Sequence, residues 1–341
     1  MRVAFDTAPL LRPYPPGVRR ACRGLVEALE RSARIEVVRM APAEGEGERA
    51  WRHLRLPRSI AEEGCAGLHS PVSAFPVCGV GRRVQTVHEL PWRNGVRENA
   101  DLRHRFWAAI GPARADAVLC PTEFVARDLR QECRYTGERI AVCAWGIEGQ
   151  ERSLETNSDD HGRPTELEYV LALGAVREKK NLIALVRALA LGRELGRNDV
   201  AVVVTGAPSA DLDADLDAAE RLGVRDLVQP LGLLPESELP ALIRGALCVP
   251  VLSPSEGFGF PVLEAMAQGT PAVVPARSAQ AEVAGRHAIT VERDGPGEIL
   301  GAFERARTFT ESTRAKLRRH AESFTWERCA RQVEALWMRW A

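Results

Sequence analysis

The sequence predicts an α/β protein of two Rossmann-like doubly wound domains facing a cleft, and three observations carry that expectation. Short apolar runs alternate with amphipathic helical patterns along nearly the whole chain. The length, 341 residues, exceeds what one core ordinarily serves. The alternation also breaks once, near the middle, in a stretch almost devoid of large apolar residues.

In order, the first half reads as strands at 3–5, 35–40, 84–88, 117–120 and 140–144, with helices at about 17–31, 102–113 and 123–133. That rhythm is one of βαβ units in a mostly parallel sheet. After Ile147 comes EGQERSLETNSDDHGRPTELE, dense in turn formers, which reads as a linker. A second series follows, with strands at 169–173, 200–205, 227–230, 247–252 and 272–274. Helices are expected at 181–193, 210–222, 236–246 and up to about 268, then helices to the end. The resulting division is 1–150, a linker at 151–168, a second domain at 169–325, and a Trp- and Leu-rich last helix at 326–341 expected to cross back onto the first domain.

Composition narrows the function. Apolar residues make up 45% and charged residues 27%, as in an ordinary globular protein. Forty-six basic residues balance 46 acidic ones, so no global field favours nucleic acid. The eight cysteines form no C-x-x-C pair and read as reduced core residues. The N-terminus is a strand and loop, not a charged leader, and no segment is long enough to span a bilayer, so the expected location is cytoplasmic.

The densest chemistry lies in EGFGFPVLEAMAQ, from Glu256 to Gln268. Gly257 and Gly259 let the backbone turn sharply and approach a ligand, and Pro261 suits the first helical position. Gly269 is a natural helix stop and Pro271 forbids continuation. The helix start around Phe260 to Leu263 therefore makes an anion site fit for a diphosphate. Glu256 on the loop and Glu264 on the helix flank its mouth. The bland alternative is a dipole-complementing Glu264 beside a solvated Glu256.

Other strand-end loops add candidates. Gly174 ends the strand at 169–173, and Arg177, Lys179 and Lys180 follow it, well placed to neutralise a departing diphosphate or simply to form a solvated basic loop. Gly17 opens the first long helix. His88 and Glu89 end a strand, and Gly232 sits in a strand-end turn. No Asp-x-Asp motif appears at a strand end, so no metal is expected, and Asp213 and Asp215 read as the exposed start of an acidic helix.

Taken together, these segments resemble the retaining, nucleotide-sugar-dependent glycosyltransferases of GT-B architecture, glycosyltransferase family 4, with its glycosyl transferases group 1 domain. PSEGFGFPVLEAMAQGTPAVV carries the family's E-x7-E spacing as Glu256 and Glu264. LGAVREKKN, PLGLLPESELPALIRGA, SAQAEVAG and FTWERCA follow in family order. The resemblance implies that Glu264 binds the ribose and Glu256 the donor sugar, while Gly257, Phe258 and Gly259 line sugar and phosphates. It implies that Lys180, with Lys179 or Arg177, stabilises the diphosphate leaving group. His88 would sit beside the reacting sugar and Gly17 near the phosphates.

Two departures stand out. The family loop usually has Arg then Lys where this chain has Lys179 and Lys180, and Glu89 stands where relatives often have Asp. The resemblance implies metal-independent transfer of a hexose from a UDP- or GDP-sugar to a hydroxyl of a carbohydrate, lipid-linked saccharide or small molecule, the first domain choosing the acceptor. The alternatives are a nucleotide-sugar epimerase or hydrolase, with His88, Glu89 and His287 as visible acid–base groups, or a non-catalytic nucleotide-sugar-binding protein. RHLRLPR from Arg52 to Arg58, with arginines 12, 19, 20 and 23, reads as a solvated basic face, leaving room for an anionic acceptor and weak peripheral membrane contact.

Overall fold

A computed structural model describes residues 1–32, 34–76, 78–79, 81–98, 100–133, 139–148 and 165–340, so most of the expected linker at 151–168 lies outside the described residues. The chain divides into two compact units, Met1–Glu148 with Phe324–Ala341, and Gly149–Ser323.

The strands are β1 Arg2–Asp6, β2 Glu36–Met40, β3 Gly67–Ser70, β4 Arg82–Thr86, β5 Ala117–Cys120, β6 Ile140–Val142, β7 Glu168–Ala172, β8 Val200–Thr205, β9 Val228–Gly232, β10 Val249–Pro250, β11 Ala272–Pro275 and β12 Ile289–Val291. Helices of six residues or more are α1 Pro16–Ser32, α2 Leu56–Glu62, α3 Leu102–Arg114, α4 Glu123–Glu132, α5 Leu182–Glu194 and α6 Ala210–Arg221. They continue with α7 Leu239–Gly245, α8 Phe260–Ala267, α9 Ala279–Ala284, α10 Pro296–Arg307, α11 Glu311–Glu322 and α12 Trp326–Met338.

The first unit holds one parallel sheet in the order β2-β1-β3-β4-β5-β6. Its central strands are buried on both faces, which is why they read as continuous apolar runs. Helix α1 turns Cys22, Leu25, Val26 and Leu29 inward at helical spacing and leaves Arg19 and Arg23 outside. Helix α12 packs on α1, and the approach is close: a Cβ on Gly24 would fall 2.1 Å from the Trp326 ring. No residue other than glycine fits there without displacing the indole.

In the second unit β9-β8-β7 and β10-β11-β12 are each parallel. Backbone bonds from Leu247 N to Tyr169 O (2.8 Å) and from Leu171 N to Cys248 O (3.0 Å), with a parallel bridge between Val170 and Cys248, join them edge to edge. The strand order becomes β9-β8-β7-β10-β11-β12, the doubly wound pattern with its reversal between β7 and β10. Strand β8, VAVVVT, is buried throughout, and α5 and α10 pack together over it through Leu185, Val186, Leu189, Ile299, Ala302 and Phe303.

Four expectations are corrected. Strand β3 was absent from the sequence reading because GLHS is short, glycine-led and half polar, yet all four residues are buried. Strand β12 interrupts what read as helices to the end; ITV is only three residues long. Arg52 does not belong to a solvated face: a π-helical turn, Trp51–Arg55, points it inward, where its side chain is 1% exposed. Its Nη2 lies 2.9 Å from Asp6 and 2.6 Å from Glu48, an ion pair that pins the segment after β1 to the Glu48 region. All eight cysteines are free; Cys78 is exposed, contrary to a core role, and the buried Cys143 and Cys329 thiols lie 3.1 Å apart.

His69, at the centre of the first sheet, is fully buried, stacked on Phe5 (ring centroids 4.6 Å), with Nε2 3.2 Å from Thr86 Oγ1. Burial pushes its pKa down to about 3. The folded state keeps the ring neutral while the unfolded chain protonates near its ordinary value, so stability is lost as pH falls from about 6.5 toward 3. We predict a loss of about 2–3 kcal/mol between pH 6.5 and 4.5 from this group. Urea unfolding across that range should show the slope flattened in His69→Leu; an unchanged slope would assign the acid lability elsewhere.

Candidate functional site

Where strand order reverses, the loops after the two adjoining strands run in opposite directions and leave a crevice at the carboxyl edge. In the second unit those loops follow β7 and β10. They are the two that carry the basic cluster and the glycine–acid motif.

The first loop leaves β7 through Gly174 (φ +82°), passes Arg177 and a 3-10 turn, Glu178–Lys180, and enters α5 after Asn181, the one non-glycine residue with positive φ (+58°) among the described residues. Its shape is fixed from outside. Ser209 Oγ donates to Val176 O (2.8 Å), Asp211 Oδ2 accepts from Glu178 N (3.1 Å), and Asn181 Nδ2 donates to Asp294 Oδ2 (2.8 Å). Lys179 is held in the interior at 7% exposure, so Lys180 is the lysine that reaches the crevice.

The second loop leaves β10 and ends at Gly259, whose φ of +89° only glycine adopts without strain. Ser253 Oγ donates to Ser255 O (3.0 Å) and Gln280 Nε2 to Ser253 O (2.8 Å), all buried. Helix α8 begins at Phe260, with Pro261 at the second rather than the first helical position, and no side chain caps its first turn. Gly269 (φ +76°) follows the helix end, as its sequence position predicts. Phe258 and Phe260 are buried and meet edge to face, centroids 5.2 Å apart, which leaves their backbone rather than their rings to a ligand. Gly257 and Glu264 are half-buried, Glu264 one turn into the helix.

The two loops meet in an ion pair: Lys180 Nζ lies 3.0 Å from Glu256 Oε1, the side chains 21% and 16% exposed. Burial pushes the Glu256 carboxyl up, but Lys180, Lys179 and Arg177 together overcome it and hold the group below the usual carboxylate range. Glu256 is therefore an ionised acceptor set among three cations. A small cavity of about 20 Å³, lined by Gly174, Val176, Lys180, Leu252 and Pro261, marks the seam between the strand ends.

Gly232 ends β9 on the same sheet edge, with φ +73°. Gly17 and His88 lie in the first unit, at the start of α1 and after β4. His88 Nε2 donates to Pro71 O (2.8 Å), which fixes the tautomer, and the ring lies against Trp145 (5.9 Å). Burial pushes its pKa down to about 4, so it is neutral near pH 7. Pro71 follows β3, and the first sheet reverses its order between β1 and β3, so His88 is tied to that sheet's own switch point. His287 lies just before β12, separated from it by Ala288, and stands at the opposite, amino edge of its sheet, away from the strand ends that form the crevice. Asp213 is exposed at the start of α6, and Asp215 is half-buried further along it.

Sequence reasoning missed the residues that hold the loops: Ser209, Asp211, Ser253 and Gln280. Ser209 carries a legible signal, since it caps α6 by accepting from Leu212 N, but its bond to the neighbouring loop carries none. Among the described residues no group of three or more His, Cys, Asp or Glu is arranged to hold a metal, and no helix is long and apolar enough to cross a membrane.

Residues 153–315 match the family model described as "Glycosyl transferases group 1". Among curated proteins the chain is similar to D-inositol 3-phosphate glycosyltransferase of Corynebacterium glutamicum, 29% identical over 243 residues, covering 65% of this chain and 57% of that protein. It is 32% identical over 247 residues to the protein of the same name from Salinispora tropica, covering 65% and 50%. The matched part thus spans just over half the length of these relatives. Among solved structures, sucrose-phosphate synthase from Thermosynechococcus elongatus superposes with TM-score 0.80 at 15% identity, covering 99% of this chain and 98% of that one. Anabaena HepE in complex with UDP superposes with TM-score 0.77 at 15% identity, covering 99% of both. The fold of the chain is that of the GT-B proteins, as the sequence resemblance implied.

Two predictions follow from the loop geometry. Lys180→Met should raise the Glu256 carboxyl pKa, read by ¹³C NMR of labelled glutamate; an unmoved carboxyl would mean that Lys180 does not set its charge state. Gly259→Ala should lower unfolding free energy by about 1–2 kcal/mol, the cost of a left-handed alanine. The new Cβ would also sit 3.0 Å from Gln280 Cγ.

Proposed function

We propose that the chain is a retaining, metal-independent hexosyltransferase. It moves a sugar from a UDP- or GDP-sugar to a hydroxyl of a carbohydrate, polyol or lipid-linked acceptor. The observation that carries the reading is the Lys180–Glu256 pair beside the uncapped start of α8, at the switch point of the matched domain. The complexes of HepE with UDP and with UDP-glucose, and the similarity to corynebacterial D-inositol 3-phosphate glycosyltransferases, support it.

In this reading the diphosphate lies at the start of α8, where helix dipole and backbone amides favour an anion. Glu264, one turn further, accepts from ribose hydroxyls. Glu256, kept ionised by its three cations, accepts from donor-sugar hydroxyls. As the anomeric C–O bond breaks, charge grows on the departing phosphate oxygen, and Lys180, with Arg177, stabilises it more than in the ground state. The acceptor oxygen bonds to the anomeric carbon on the face the phosphate leaves, and its proton passes to that phosphate oxygen. His88, neutral and committed through Nε2 to Pro71, does not act as an acid. Lys180 keeps the lysine of the family loop, and Lys179 puts a point cation where that loop usually has a guanidinium fork.

Calorimetry with UDP and GDP and their sugars, without metal, tests the reading. One nucleotide should bind, and Glu264→Ala should weaken it by about tenfold or more. Lys180→Ala should lower kcat about a hundredfold, roughly 3 kcal/mol of transition-state stabilisation. A new glycoside with the donor's anomeric configuration is expected by NMR. A new epimer or free sugar would indicate the epimerase or hydrolase reading, and nucleotide binding without any product a binding protein.

A further inference from the structure

At the amino edge of β12, across the sheet from the Lys180–Glu256 pair, the second unit contains a pocket enclosing about 400 Å³. Arg286, His287, Arg305 and Lys316 line it from the turn before β12, from α10 and from α11, with Phe309 and Thr290 between them. No carboxylate lines it.

Net charge is zero, and several arginines of the same unit have an acid beside them: Arg193 with Asp226 (2.7 Å), Arg307 with Glu168 (2.7 Å), Arg197 with Glu304. Arg286 and Lys316 form no ion pair among the described residues. Arg305 spends one Nη2 on Thr290 O (3.0 Å) and keeps further N–H donors. The His287 pKa is lowered first by burial and then by His320, Arg286 and Lys316. Exposed like charges held around one concavity without a counter-ion are a standing electrostatic cost that an oxyanion relieves. The volume is that of a small-molecule site, and Phe309 gives it an apolar wall for an organic group.

We infer that this pocket is a second ligand site, which takes the phosphoryl group of a small molecule, free or esterified, at the opposite sheet edge from the nucleotide crevice. Guanidinium groups of Arg286 and Arg305 match phosphate oxygens in a fork, and Lys316 adds a point charge. Because the two edges are separated by the length of the strands, occupancy here leaves the crevice open.

Titration of the full chain with inorganic phosphate by calorimetry, at low fixed salt, tests the site in three proteins: wild type, Arg286→Ser/Lys316→Ser and Lys180→Ala. Both substituted pocket residues are exposed, so the fold should survive; thermal unfolding checks it. Wild type should bind saturably, the double variant about tenfold more weakly, and Lys180→Ala like wild type. A parallel titration with glucose 1-phosphate separates the sources, tighter binding indicating an ester and weaker binding free phosphate. The inference is overturned if wild type shows no saturable binding below about 10 mM, if the double variant binds as wild type does, or if Lys180→Ala is the variant that loses affinity.

Discussion

The candidate site depends on one constraint, the backbone pairing of β7 with β10. Val170 meets Cys248, far away in the chain, and one backbone hydrogen bond on each side of that bridge fixes the register. Pairing them places the loops that leave their carboxyl ends across the same seam. Lys180 and Glu256 can then meet at 3.0 Å, although each loop is held by different neighbours. Nothing in either loop alone brings the charges together.

The electrostatics follow from that geometry. A carboxylate withdrawn this far from water ordinarily gains a proton, because burial penalises its charge. Three cations from one loop reverse the outcome at Glu256. The pair is therefore a preformed polar arrangement, and its ordering has been done by folding before a ligand arrives. Ser209, Asp211, Ser253 and Gln280 keep the loops in place through bonds to backbone groups, and Asp294 holds Asn181, so the site rests on a supporting layer that is polar and carries few charges.

Much of the fold was legible because parallel strands buried on both faces are continuous apolar runs, and VAVVVT or AVLC admits few other readings. GLHS was illegible for the converse reason: its burial comes from neighbours, and His69 and Ser70 lie inside the sheet with local partners. Arg52 misled because an arginine-rich run reads as a wet face until a π-turn and two acids, one of them 46 residues earlier, draw one member inward. The glycine–acid motif was legible because Gly259 and Gly269 have positions only glycine suits, whereas the loop-holding contacts join residues far apart in sequence.

The most direct test is a crystal structure of the chain with UDP or GDP diffused into it. The account predicts the diphosphate at the start of α8 within hydrogen-bond reach of Lys180, and the ribose hydroxyls on Glu264. A nucleotide bound elsewhere, with the Lys180–Glu256 pair undisturbed and the start of α8 empty, would contradict it.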